Sequence, residues 1–269
     1  MTSITPHHDL ADRARSVFDI VDRLGHEPVT ALGVWAHPDD EAYLSAALMA
    51  RVTDAGGSVT VVTATRGEQG TPDSALHGTP AFGAIREVEL RAALAELGVT
   101  DLRLLGLADG ELCEADAADQ VAAIAAVIAD VDPDVVVTFG PDGMTWHPDH
   151  IAVSTWTTRA WEATGRHAEL LYATMTDEFA RRHADLHERI GLFADWGPGH
   201  PATTPRVDLE LETVMSPAER ARKRRALGRH ATQTDAIAGL FGEKTYLEWI
   251  DQEAYRRPTA AELGAGALR

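Results

Sequence analysis

Cysteine is almost missing. The chain of 269 residues has one, Cys113, so no internal disulfide framework can form, and no metal site can be built from thiolates. A lone cysteine suits a reducing compartment. Positive charge is scarce as well. Lys and Arg number 24 against 42 Asp and Glu, a formal net charge of −18. A surface of that sign repels nucleic acid and anionic membrane, and neither is expected as a partner. No apolar run reaches the roughly 18 residues of a membrane-spanning helix, and the opening stretch 1–25 has no signal-peptide core. The expected location is the cytoplasm. No repeat and no G-x-G-x-x-G fingerprint occur, which leaves a dinucleotide site poorly supported. Nothing in the sequence specifies an oligomeric state.

What is there alternates between apolar runs and helical periodicity. Residues 29–36, 58–65, 102–107, 134–140 and 169–175 read as strands. Residues 9–25, 40–57, 84–98, 116–131 and 151–165 read as helices. Strand, helix, strand within about 35 residues is a βαβ unit and implies a parallel sheet. The expected fold is a Rossmann-like, doubly wound α/β domain over 1–269 with a mainly parallel sheet. Residues 1–27 would form a helical extension, and 177–269 would be additions packed on the same domain. Among these additions, 206–214 reads as a strand, and Ser216, Pro217 and Glu219 read as a capping box opening a helix. The tail from Ala254 reads as frayed. The stretch 66–83, rich in Gly, Pro and Ser, reads as a long loop, either functional or disordered.

Two segments concentrate chemistry. "HPDDE" (37–41) follows one buried strand and "HPDH" (147–150) another. Ligands in open α/β sheets bind beyond the carboxyl ends of strands. Zinc accepts His nitrogen and carboxylate oxygen, and a catalytic site keeps three protein ligands and one open position. His37 and Asp40, three apart across a strand-to-helix turn, can share an ion, and His150 can supply the third ligand. Asp39 is then a free carboxylate beside activated water, suited to take its proton. His147, one turn before His150, would if protonated stabilise the oxyanion or hand a proton to a leaving amine. This constellation predicts metal-assisted amide hydrolysis. Plainer readings exist for each residue alone: the acids favour a helix N-terminus, and a single histidine is more often hydrogen-bonded than ligating. Together those readings need five coincidences at two strand ends. His230 and Gln233 read as structural bonds, and the basic run 220–229 as a solvated helix face paired with acids.

"AHPDDE" (36–41) with "HPDH" (147–150) resembles the PIG-L/LmbE-type family of zinc-dependent N-acetylglucosaminide deacetylases. The resemblance extends to "TRGEQG" (65–70), "REVELRAALAELG" (86–98), "LGLADGEL" (105–112) and "KRRALGRHATQ" (223–233), in the family's order. It implies zinc bound by His37, Asp40 and His150, Asp39 as general base and His147 stabilising the tetrahedral intermediate. It also implies that Arg86 and Asp109 contact the sugar. Iron(II) suits the same donor set. The implied partner is an N-acylated amino sugar or a related small conjugate. The acyl group is acetyl in the deacetylase reading and larger in an amidase of mycothiol-like conjugates; a non-catalytic binding module would keep the ligands but has no use for Asp39. The chain departs from the family at Thr145 and Trp146, where mycothiol-pathway members carry Tyr and then Gly. The missing Tyr hydroxyl argues against a mycothiol-pathway substrate. Trp146 is expected to wall the site beside His147, either stacking on a sugar or aglycone or narrowing access.

Overall fold

The computed structural model describes residues 28–193 and 196–265; the helix expected at 9–25 lies outside them. Five strands run parallel: β1 (Thr30–Trp35), β2 (Ser58–Thr63), β3 (Asp101–Leu104), β4 (Val135–Phe139) and β5 (Glu169–Ala173). β7 (Ala254–Arg256) and β6 (Leu211–Glu212) extend the sheet antiparallel, giving the order β3-β2-β1-β4-β5-β7-β6. The central strands are apolar along their whole length because helices cover both faces. β1 is the strand where the winding reverses, with β2 on one side and β4 on the other, in register Leu32↔Val136 and Gly33↔Val137. That reversal opens a crevice at the carboxyl ends of β1 and β4.

The crossover helices are α1 (Asp40–Asp54), α2 (Pro80–Glu96), α3 (Ala117–Val131) and α4 (Pro148–Ala163). α2 begins earlier than its periodicity suggests. Thr79 caps it by accepting from Phe82 N, with proline at its first position, so the last residues of the expected loop are helical. α4 likewise begins at Pro148, which puts "HPDH" into its first turn. α5 (Asp177–Arg182), α6 (Ala184–Ile190), α7 (Pro217–Arg229), α8 (Ala231–Phe241), α9 (Glu243–Trp249) and α10 (Ala260–Ala265) form the additions. The Ser216–Glu219 capping box of α7 is present in both directions. No helix among the described residues is long and apolar enough to cross a membrane.

Two expectations for the additions need correction. Only Leu211–Glu212 of 206–214 is a strand. The tail is not frayed at Ala254: residues 254–256 are β7, wedged between β5 and β6, with Tyr255 fully buried. A three-residue strand is too short to carry a periodic signal.

β7 also delivers Glu253 to the middle of α1. The N–H groups of Ala47 and Leu48 donate to Glu253 Oε1 and Oε2 (2.8 and 3.1 Å). The Tyr43 carbonyl accepts from Lys223 Nζ (2.6 Å) and the Leu44 carbonyl from the Tyr255 hydroxyl (2.7 Å). These are the four backbone groups that two successive helical i→i−4 bonds would join. Lys223 and Glu253 pair with each other at 3.0 Å, at 1% and 0% side-chain exposure. The arginines of α7 behave as expected: Arg220, Arg222, Arg224, Arg225 and Arg229 pair with acids at the surface. Lys223 is the exception in that run. Removing one partner from a buried pair costs about 3–5 kcal/mol, because the other charge is stranded. Lys223→Met should therefore destabilise by that order in chemical denaturation, and adding Glu253→Gln should recover part of the loss. Additive losses would contradict the pairing.

Candidate functional site

The chain leaves β1 into a tight turn. His37 N–H donates to Asp40 Oδ2 (2.8 Å), closing the turn before α1. Asp39 sits inside it at φ 116°, a region that costs a non-glycine residue on the order of 1–3 kcal/mol. Several contacts hold it there. Its N–H donates to Glu41 Oε2 (3.0 Å), and Glu41 Oε1 pairs with His230 Nε2 (2.8 Å), both side chains being fully buried. From the opposite side the Arg86 guanidinium donates to the Pro38 carbonyl and stands 3.4 Å from Asp39 Oδ2. Arg86 also donates to the Gly67 carbonyl (2.9 Å). The "TRGEQG" loop wraps so tightly that a Cβ on Gly67 would lie 2.0 Å from the Arg86 guanidinium, and its φ of +67° suits glycine.

His37 is clamped by two carboxylates. Its Nε2 lies 3.1 Å from Asp109 Oδ1 and 3.1 Å from Asp149 Oδ2. Both acids are fixed by backbone donors: Gln69 N–H to Asp109 (2.7 Å), and Gly110 and Leu112 N–H to Asp149 (2.8 and 3.1 Å). Nε2 therefore carries the proton, and Nδ1 is the nitrogen left to face the cavity. On α4, His150 Nδ1 donates to the Gly143 carbonyl (2.9 Å) while Phe139 stacks on the ring at 4.2 Å. That fixes Nε2 as its free nitrogen. His37 Nδ1 and His150 Nε2 are 3.2 Å apart, and the Asp40 oxygens lie 3.7 and 3.5 Å from them. Ligands about 2.0–2.2 Å from a tetrahedral ion are separated by about 3.3–3.6 Å. The donor set and its spacing thus fit zinc. His147 is a further donor within reach of His37 and His150. A cluster of His37 with Asp109 and Asp149 suits an ion less well: both Asp149 oxygens accept backbone hydrogen bonds, against one oxygen of Asp40, and Asp149 is sealed from the cavity.

His147 caps α4, its Nδ1 accepting from Asp149 N–H (3.2 Å). The ring proton is accordingly on Nε2. Its ring centroid lies 4.9 Å from those of both His37 and His150. Burial and the neighbouring His37 and His150 charges push its pKa down to about 4, so it is neutral at pH 7. Burial pushes Asp39 up to about 6, with Arg86 opposing the rise. Burial alone would lower His37, but its bonds to Asp109 and Asp149 and the charge of Asp40 outweigh it and raise it to about 10.

All of His37, Asp39, Asp40, His147 and His150 border one cavity of about 550 Å³. Arg86 and Asp109 border it too, but both are engaged within the protein. Arg86 is buried against Asp39, and each Asp109 oxygen already accepts a hydrogen bond. Trp146 departs from expectation. Its backbone is left-handed (φ 63°), its indole N–H donates to the Gly199 carbonyl (2.9 Å), and its ring packs on Gly197. It does not line the cavity; Trp196 stands beside His147 instead, with centroids 4.7 Å apart. Gln233 and His230 form structural bonds as expected, Gln233 to the Gly70 carbonyl (3.0 Å). Asp149 has no role on sequence grounds, although its place between the two histidines of "HPDH" is the available signal. For Trp196 there is none, since it reaches the site from a distant loop.

In the absence of a metal, His37 holds protons on both nitrogens at neutral pH, and ligation through Nδ1 must displace one. Zinc titration at pH 7 should release about one proton per ion, measured by calorimetry in buffers of different ionisation enthalpy, and affinity should rise with pH. Asp149→Asn should weaken zinc binding roughly 10–100-fold. Binding without net proton release would contradict the clamp.

The GlcNAc-PI de-N-acetylase (PIG-L) family model matches residues 32–161. A 1D-myo-inositol 2-acetamido-2-deoxy-alpha-D-glucopyranoside deacetylase of Mycolicibacterium vanbaalenii is 34% identical, over 77% of this chain and 81% of that enzyme. Its counterpart from Streptomyces avermitilis is 41% identical, over 48% of this chain; there the chain spans about half, 51%, of the relative. Among solved structures, N,N'-diacetylchitobiose deacetylase from Pyrococcus horikoshii superposes with TM-score 0.59 at 17% identity, over 95% of this chain and 94% of that one. A 4-carboxy-2-hydroxymuconate hydratase from Pseudomonas putida superposes with TM-score 0.56 at 15% identity, over 86% and 96% of the two chains. The fold therefore admits other chemistry, and the site must decide. By its 34% identity across four-fifths of an established relative, this chain belongs to the PIG-L family of de-N-acetylases.

Proposed function

We propose that the protein is a zinc-dependent N-deacetylase that hydrolyses the acetamide of an N-acetylated amino sugar to the free amine and acetate. One observation carries the reading. Three metal-competent donors, a free carboxylate and a neutral imidazole N–H border a single cavity. Relatives named as deacetylases of an N-acetylglucosaminyl inositol support it.

We assign His37, Asp40 and His150 to the ion; iron(II) also fits such a donor set. When bound, zinc makes a water nucleophilic at neutral pH and polarises the acetamide carbonyl. Asp39, held by Glu41 and Arg86, takes the proton as the water attacks the carbonyl carbon. His147 donates Nε2–H to the oxygen as negative charge develops on it. It has no second proton to give, because its Nδ1 is occupied as an acceptor. The proton that the departing nitrogen needs therefore comes back from Asp39. The C–N bond breaks, and the amine and acetate leave. We assign Arg86 and Asp109 to orienting Asp39 and His37, on the strength of their contacts.

Asp39→Asn should bind zinc as wild type does and lose roughly 10²–10⁴-fold in amine release from N-acetylglucosaminides; wild-type turnover in that variant would sink the assignment. The pH dependence follows from the same residue. Asp39 must be ionised to act, and a nearby cation lowers its pKa further, so activity should fall on an acid limb at or below about pH 6. Arg86→Gln removes a charge that lowers the Asp39 pKa and should move that limb to higher pH. A limb unmoved in Arg86→Gln would mean that another group controls it.

A further inference from the structure

The cavity has two unlike sides. Around the clustered histidines it is polar, with Gln69, Arg86, Asp109 and Gln233 on its rim. Towards the additions it is bordered by Met175, Phe179, Leu192, Trp196, Ile237 and Trp249. Most polar side-chain atoms on that second side are taken, the buried His187 Nδ1 being without a partner. Trp249 Nε1 donates to His187 Nε2 (3.1 Å), and the Tyr43 and Tyr246 hydroxyls meet at 3.4 Å. Thr174 pairs with Thr204 (2.7 Å), and Gln252 Nε2 donates to Thr176 (3.0 Å). Glu253 is committed to Lys223 and α1. The rings are near neighbours: Tyr43 and Trp249 centroids are 5.5 Å apart, and Phe179 and His187 6.0 Å. Trp196, which stands against His147, is 52% exposed. An apolar surface thus begins at a group assigned to the reaction.

We infer that the acetylated sugar taken by this site carries an apolar aglycone, an aryl or alkyl group, in place of a polyol. The inference rests on the deacetylase reading, which fixes the acyl group as acetyl and leaves the apolar space to whatever the sugar bears. The several hydroxyls of a polyol pressed against this wall would lose water and find few partners. An alkyl or aryl group would gain from burial there. A volume of about 550 Å³ is in the range of pockets that take ligands larger than a single small group. The inferred preference separates this chain from its relatives, whose names specify an inositol glycoside.

The test uses zinc-loaded wild-type protein and 2-acetamido-2-deoxyglucosides bearing methyl, butyl, hexyl, phenyl or inositol aglycones. Primary-amine release gives kcat/KM, and quenching of tryptophan fluorescence gives binding. The expected result is a gain of about three- to fourfold per buried methylene, with the hexyl and phenyl glycosides above the methyl and inositol ones. Ile237→Asp should cut the hexyl-to-methyl ratio at least tenfold. A flat series, or preference for inositol in both turnover and binding, would overturn the inference and leave the deacetylase reading intact. Preference for longer N-acyl chains on the methyl glycoside, with no aglycone dependence, would overturn it too, by giving the apolar side to the acyl group. No amine from any glycoside, with binding still favouring hexyl over methyl, would overturn the deacetylase reading alone.

Discussion

The imidazole of His37 held between Asp109 and Asp149 is the constraint on which the site depends. One carboxylate on Nε2 already orientates a buried histidine and fixes its tautomer; two hold the ring proton from both sides. Asp109 comes from the turn after β3 and Asp149 from the first turn of α4, and each is tied down by backbone N–H groups. His37 therefore locks three separate chain segments together at the reversal of the sheet. The same clamp turns Nδ1 towards His150 Nε2 and the Asp40 carboxylate. Remove it, and the site keeps its residues but loses the direction in which they point.

A second network does for Asp39 what the clamp does for His37. The left-handed backbone at Asp39 aims its carboxylate into the cavity beside the donor cluster. Glu41 and His230 hold its N–H from below, and Arg86 faces its oxygens from the side. His230 belongs to the additions, as do Lys223, Glu253 and Tyr255, which grip the middle of α1. The additions thus set the helix whose first turn bears Asp39 and Asp40, and their other face supplies the apolar half of the cavity. This double duty explains why a chain with an ordinary doubly wound core needs so much structure after β5.

Much of this could be read from the residues. The parallel strands and crossover helices follow from apolar runs and helical periodicity, and both signals are local. His37, Asp39, Asp40, His147 and His150 were legible because short motifs at two strand ends must meet once the sheet is parallel. What stayed hidden was set by contacts distant in the chain. Asp109 reads as a turn residue until His37 is seen against it. Lys223 reads as one more surface cation until Glu253 arrives from β7. Trp196 stands beside His147 where Trp146 is expected, because left-handed backbone at Met144 and Trp146 turns the Trp146 indole outward, and no sequence pattern announces that.

The central claim is that His37 offers Nδ1 to the ion while its Nε2–H stays bound by two carboxylates. Nuclear magnetic resonance of protein labelled with ¹⁵N-histidine and loaded with ¹¹³Cd in place of zinc tests it directly. One-bond coupling between metal and nitrogen should appear at Nδ1 of one histidine and Nε2 of another. The first should keep a slowly exchanging Nε2 proton and lose its signals in His37→Gln. Coupling to Nε2 of both histidines, or to none, would contradict the account.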